Sequence, residues 1–304
     1  MTTRGRVIVT GANGFVGRRV LGELLRRGFE VHAVTRGGAP ADAPEDVRWH
    51  AADLLDAGAR GRLVGSLEAS HLLHLAWYAE PGAFWAAREN AAWVAATVAL
   101  LDEFAAAGGV RATLAGTCAE YDWTAPQPMA EGTPLAPATY YGVCKDATRR
   151  VAEGLAERVG LSLAWGRIFF LYGPGEDVRR LVASVARALV AGERAPTSAG
   201  TQRRDFLHVD DVAGAFAALL DSEVAGAVNV ASGEPVTVRA IVDALAAAAG
   251  RPELLDVGAL APRPGEPDEL VADVARLRDE VGFVAEIGLE QGLAATVAWW
   301  RGQL

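Results

Sequence analysis

Three glycines at a spacing of three, Gly11, Gly14 and Gly17, separate the β-branched run Arg6–Thr10 from a stretch of helical periodicity, Phe15–Arg27. Glycine lets a chain turn sharply and lets backbone come close to a bound group. The helix that follows offers free amides and the positive end of its dipole. The pattern therefore predicts a strand–turn–helix unit that cradles a pyrophosphate, with Gly11, Asn13, Gly14, Phe15, Val16 and Gly17 as its contacts. The spacing is G-x-x-G-x-x-G rather than G-x-G-x-x-G.

Short apolar runs and helical stretches then alternate. Strands are expected at Val31–Thr35, Val47–His50, His71–Ala76, Arg111–Thr117 and Leu161–Phe170, and helices at Gly82–Gly109 and Ala138–Arg158. Such alternation implies an α/β fold, a doubly wound parallel sheet with helices on both faces. After Gly173 the rhythm loosens: helices are expected at Val178–Ala191, Val238–Ala249 and Leu289–Arg301, and strands at Phe206–Val209 and Ala227–Val230. The Pro- and Gly-containing stretches Ala195–Gly200 and Ala261–Pro267 read as loops. The division expected is a dinucleotide-binding domain over residues 1–172, rejoined by 205–231, and a smaller C-terminal lobe over 173–304 that binds substrate.

Composition narrows the function. With 38 acidic and 29 basic residues among 304, the net charge is −9, which argues against nucleic acid as a partner. Two cysteines imply no disulfide framework, no metal-ligand spacing stands out, and no apolar run is long enough to span a membrane. A cytoplasmic location is the expectation. Of the 29 basic residues 28 are arginine; the single lysine is Lys145, four residues after Tyr141. On a helix this spacing puts an ammonium and a phenol on one face. The ammonium favours the ionised phenol, and a phenol so poised can pass a proton to a carbonyl oxygen. Tyr140 is a poor rival, because its i+4 residue is Cys144.

The end of the second predicted strand, Val34-Thr35-Arg36, carries no acid. A carboxylate there would accept from an adenosine ribose and repel a 2′-phosphate, whereas Arg36 can fork onto that phosphate. NADP(H) is thus favoured and NAD(H) remains possible; the plainer reading makes Arg36 one surface arginine among many.

Together these residues resemble the short-chain dehydrogenase/reductase superfamily, in its extended, nucleotide-sugar branch, over nearly the whole chain. The resemblance implies a Rossmann-like fold and a catalytic trio of Thr117, Tyr141 and Lys145, with Tyr141 and Lys145 also touching the cofactor. It implies further cofactor contacts at Asp53 and Leu54, at Leu75 and Ala76 beside the fourth strand, and at Asn90 in the helix after it. In the substrate half, Arg204-Asp-Phe-Leu-His208 and Arg263-Pro-Gly-Glu266 resemble the branch's two diphosphate arginines, although both could instead form interdomain ion pairs. Tyr172-Gly-Pro-Gly175 resembles its loop after the sixth strand. Trp77, Tyr78 and Trp123 would either stack on substrate or pack the lobe interface.

Departures from the branch's patterns restrict the reaction. Dehydrating relatives carry Asp-Glu after the catalytic Thr, where this chain has Cys118-Ala119. Decarboxylating relatives keep a Glu where Ala119 stands, and many 4-epimerases have Asn where Phe170 stands. The resemblance therefore implies NADPH-dependent reduction of an NDP-4-keto-6-deoxy-sugar. An NAD-retaining nucleotide-sugar epimerase is the alternative, and a non-catalytic NAD(P)-binding regulator is the alternative of another class. Cys118 could act as an acid or base if its pKa were tuned; the plainer reading is a small packed residue. The helix Ala83–Leu101, apolar on nearly all sides, points to a homodimer or to burial by its own chain.

Overall fold

The computed structural model describes residues 4–261 and 265–304. In chain order the first half comprises β1 (Arg6–Thr10), α1 (Gly17–Arg26), β2 (Glu30–Thr35), β3 (Arg48–Ala51), α2 (Ala57–Leu67) and β4 (His71–His74). It continues with α3 (Glu89–Ala106), β5 (Arg111–Thr117), α4 (Tyr140–Val159), β6 (Ser162–Ile168) and β7 (Phe170–Tyr172). The second half adds α5 (Leu181–Val190), β8 (Ala195–Thr197), β9 (Arg203–His208), α6 (Val209–Asp221), β10 (Gly226–Val230) and β11 (Pro235–Thr237). It ends with α7 (Val238–Ala249), β12 (Leu255–Val257), β13 (Glu269–Leu270) and α8 (Leu289–Arg301).

Seven strands form one sheet in the order β3-β2-β1-β4-β5-β6-β10, every neighbouring pair parallel. A parallel sheet must be covered on both faces, because its crossover helices lie there. Alternation along β1 shows how the sequence meets that demand. Val7 and Val9 face a core shared with Val20, Leu24 and Phe216 of α1 and α6, while Ile8 faces Leu63, Leu100 and Phe104 of α2 and α3. The order reverses between β1 and β4, so the carboxyl ends of these strands open a crevice where a ligand can lie.

The expected return of 205–231 to this sheet divides in two. α6 packs beneath the sheet and β10 forms its edge, whereas β9 lies in a second, smaller sheet with β7, β11 and β13. Other elements also depart from expectation. The segment Ala195–Gly200, read as a loop, contains β8, which pairs in parallel with β12. The helix expected from Gly82 begins only at Glu89, for Asn90 turns its side-chain amide back onto the carbonyls of Phe84 and Ala87 and holds the preceding segment as turns. α2 and α6 lie outside the expected helices. α2 carries Gly58, Gly61 and Gly65, poor helix formers, and starts on the Asp56 cap. α6 is buried on nearly every side and so has no polar face to mark its period.

Candidate active site

The glycine loop forms as its spacing requires. Gly11 has φ of 68°, a conformation that favours glycine, and a Cβ there would stand 2.8 Å from the Ala76 amide. A Cβ on Gly17 would come within 2.0 Å of the Gly11 carbonyl oxygen. The turn is closed by the Gly14 amide donating to that oxygen at 2.9 Å. Phe15 and Val16 are half-buried, while Asn13 and Gly14 are exposed. The open amides at the start of α1 fit a dinucleotide pyrophosphate. Arg18 and Arg19 leave this helix to donate to the carbonyls of Gly175 and Pro174, and so tie the loop after β7 to the cradle.

Around the cradle, Arg36 is exposed at the end of β2, and Asp53 is exposed with one carboxylate oxygen accepting from the Leu55 amide at 3.0 Å. Leu54 is buried, and Leu75 and Ala76 border the Gly11 turn. Asn90 has its side chain engaged within the protein. It is fully buried, donates to Phe84 and Ala87, and accepts from the Trp77 indole at 2.8 Å. His74 bridges the hydroxyls of Thr10 and Thr97, and burial pushes its pKa down to about 3, so it stays neutral.

Thr117 and Tyr141 meet because β5 and α4 approach closely. A Cβ at Gly142 would stand 2.3 Å from the Ala119 carbonyl oxygen, so glycine at this position lets the first turn of α4 press against the end of β5. The Tyr141 amide donates to the Trp85 carbonyl at 3.0 Å, and the rings of Phe84 and Trp85 stand edge-on to the phenol at centroid distances of 4.9 and 5.9 Å. Burial holds the phenol above its ordinary pKa; a hydrogen bond with the Thr117 side chain and the Arg180 charge oppose that shift. A phenol that keeps its proton is a donor to a substrate oxygen.

Lys145 is buried one turn further on. Its Nζ donates to the Ala115 carbonyl at 2.9 Å and lies 3.8 Å from the centre of the Trp77 ring. Burial lowers its pKa from 10.5 to about 7. The slot between a strand carbonyl and an indole face suits a compact ammonium on a flexible stem and not a wide planar guanidinium. Nζ is 6.0 Å from the Tyr141 ring centre, and the Arg180 charge also acts on the phenol.

Glu120 carries no proton-transfer geometry. It is fully buried, accepts from the Thr117 amide, the Trp165 indole and Arg167, and so fixes the turn that presents Thr117. Cys118 is buried, and burial together with the Glu120 charge pushes its thiol up to about 12. It is neither a base nor a thiolate at neutral pH.

The substrate contacts expected from sequence separate. Trp77 and Tyr78 follow β4 and are half-buried; Trp123 donates to the Cys118 carbonyl at 3.1 Å. Trp123 also borders a cleft of about 560 Å³ with Gln127, Ala136 and Pro267. Arg204 turns inward. Its guanidinium serves the carbonyls of Arg203 and Pro267 and pairs with Glu266 at 2.9 Å. Arg263 lies outside the described residues. Sequence reasoning missed Gly142, Glu120 and Arg180. Gly142 lies between Tyr141 and Lys145, and Glu120 three residues after Thr117, but only a close approach or a partner distant in sequence reveals their role.

Among the described residues no group of three or more His, Cys, Asp and Glu is placed to hold a metal, and no helix is long and apolar enough to cross a membrane. Comparison with known proteins agrees with the geometry. The NAD dependent epimerase/dehydratase family model matches residues 7–231. The chain is 28% identical to dTDP-glucose 4,6-dehydratase of Streptomyces griseus, over 99% of this chain and 95% of the relative. It is 32% identical to a 3-diazoavenalumate denitrifying reductase of a Streptomyces species, over 85% of this chain and 86% of that one. The structure of MoeE5 with UDP-glucuronic acid and NAD is similar at a TM-score of 0.84 and 33% identity, covering 99% of this chain and all of the other. The glycine cradle and the Thr117, Tyr141 and Lys145 grouping thus sit in an extended short-chain dehydrogenase/reductase, and the chain belongs to the NAD-dependent epimerase/dehydratase family.

Proposed function

We propose that the protein is a nucleotide-sugar ketoreductase that reduces an NDP-4-keto-6-deoxy-sugar with NADPH. One observation carries the reading: among the described residues around the end of β5, the side chain suited to proton transfer is Tyr141 of α4. Cys118 is buried as a thiol, Ala119 has no side-chain function, and Glu120 is locked to Arg167. Water elimination needs a separate acid and base, and this chain offers neither beside Thr117. A bound nicotinamide would supply the hydride. Tyr141 then holds the proton that goes to the substrate oxygen, and Thr117 donates to the alkoxide as it forms. Lys145 would hold the cofactor ribose. Phe170, where many 4-epimerases have Asn, favours net reduction over epimerisation.

Arg36 supports NADP(H), since its exposed guanidinium stands at the end of β2 where a 2′-phosphate would lie. Arg36→Asp is expected to weaken NADPH at least tenfold and leave NADH unchanged or tighter. Equal NADPH affinity in calorimetric titration of the two proteins contradicts the preference. Non-catalytic regulators of this kind tend to lose the tyrosine or the lysine, and both are present, which favours the enzyme.

A homodimer is supported by the outer faces of α3 and α4, which pack together. Tyr140, Val143 and Val151 of α4 are exposed, as are Ala91, Ala92 and Ala95 of α3. Light scattering at micromolar concentration is expected to give twice the chain mass and, for Val151→Glu, a single chain mass.

A further inference from the structure

Trp77 lies half-buried three residues past the end of β4. Its indole nitrogen donates to the Asn90 side-chain oxygen at 2.8 Å. Asn90 is itself fully buried and fixed, its amide group donating to the carbonyls of Phe84 and Ala87. The orientation of the indole is thus set from α3. Trp93 of the same helix stands against it at 6.2 Å between ring centres, and the Tyr141 ring stands edge-on at 6.5 Å. Over the indole face lies Lys145 Nζ, 3.8 Å from the ring centre.

Lys145 has little else to support its charge. An ammonium carries three N–H donors, and among the described residues the Ala115 carbonyl, at 2.9 Å, is its one hydrogen-bond acceptor. The field of Glu120 reaches it, but that carboxylate is paired with Arg167 at 2.9 Å. His74 of β4 stays neutral, and burial keeps the proton on the Tyr141 phenol, on which Arg180 acts from the start of α5. Asp146, next in α4, pairs with Arg149 and Arg150. A carboxylate in contact would stabilise the cation and also occupy its donors, as Glu120 does for Arg167. An aromatic face attracts the charge through its quadrupole and forms no such pair.

We propose that Trp77 is a positioning residue of this site: its indole face carries the Lys145 ammonium, and the Asn90 side chain holds that face in place. The role rests on the reading of Lys145 as the cation that works with Tyr141. It gives the buried Asn90 a task two contacts removed from the ammonium. It also spends the Trp77 face on a cation of the protein rather than on a substrate ring, and leaves N–H donors of Lys145 for a ligand.

Because Lys145 is the single lysine of the chain, lysine isotope-labelled at Cε gives one NMR signal in the full-length protein. Its pH titration, without cofactor or substrate, is compared for the wild type, Trp77→Leu and Trp77→Phe. In the wild type the Lys145 Hε resonance is expected upfield of an exposed lysine, displaced by the indole ring current. Trp77→Leu is expected to lose that displacement and to titrate about one pH unit lower, the order of effect of a desolvated cation–π contact. Trp77→Phe keeps a ring and is expected to fall between the two. A Trp77→Leu midpoint at or above the wild-type value overturns the proposal, since a ring that only excludes water holds the pKa down and its removal lets it rise. A wild-type Hε resonance at the exposed position overturns it without any variant, so misfolding of Trp77→Leu does not protect it. The titration involves no turnover, so its result is separate from that of a ketoreductase assay.

Discussion

Two cations are buried near the carboxyl ends of β5 and β6, and they have opposite surroundings. Arg167 is met by Glu120, by the Tyr121 hydroxyl and by the Glu131 carbonyl, and lies against the Tyr121 ring. Its charge is matched, and its pKa is held above the ordinary value by those partners. Lys145 has one carbonyl and one indole face, with no carboxylate in contact, and its pKa falls to about 7. A buried cation with all its partners in place anchors a structure, while one left short is held ready for a ligand. Arg204 of β9 is matched in the same way as Arg167, by Glu266 and by the carbonyls of Arg203 and Pro267.

The comparison breaks most sharply at Lys145. Lys145→Met is expected to lower kcat/KM by roughly a thousandfold or more, as loss of a group that acts with the tyrosine does. It is not expected to lower stability. Between pH 7 and 10.5 the unfolded chain holds the lysine proton and the folded chain does not, so this group makes stability rise with pH across that window. Urea unfolding of the wild type relative to Lys145→Met should show that rise; parallel curves would mean that Lys145 is charged throughout.

On the other side of the contrast, Glu120→Gln leaves Arg167 buried without its counter-ion. The expected loss is about 3–5 kcal/mol of unfolding free energy, the usual cost of breaking a buried pair. A loss under about 1 kcal/mol in urea titration would show that the pair is not an anchor.

Legibility from sequence follows the same division. The glycine turn and the shared helix face of Tyr141 and Lys145 were readable because each is set by residue types at a fixed local spacing, whereas Thr117 was singled out only by the resemblance to the family. The spans Arg111–Thr117, Val238–Ala249 and Leu289–Arg301 were readable because apolar patterning and end signals agree there. Where three-dimensional partners decide, the pattern is silent. Asn90 sits at the expected helix position, yet its side chain is spent on Phe84, Ala87 and Trp77. Arg204 lies in the expected motif but turns to Glu266. α6 left no trace because burial on all sides erases the periodicity that marks a helix.

His74 sharpens the account in the acid range. Its folded pKa, about 3, lies below the ordinary 6.5, so the unfolded chain binds the extra proton and stability falls as pH drops through that window. The contribution reaches about 4 kcal/mol at pH 3, and His74→Gln should flatten that part of the stability curve. An unchanged slope would mean that another group drives the acid loss. The smallest effect belongs to Cys118. Cys118→Ser should leave the rate within about threefold, since a thiol with a pKa near 12 moves no proton at pH 7. A tenfold loss would put the thiol into the chemistry.

The most direct measurement is NADPH oxidation followed at 340 nm with dTDP-4-keto-6-deoxyglucose, for the wild type and Tyr141→Phe side by side. The account predicts stoichiometric or greater oxidation by the wild type. It also predicts loss of at least a thousandfold in Tyr141→Phe with unchanged NADPH affinity. An inert wild type that binds NADPH, or a Tyr141→Phe variant that turns over at the wild-type rate, would contradict it.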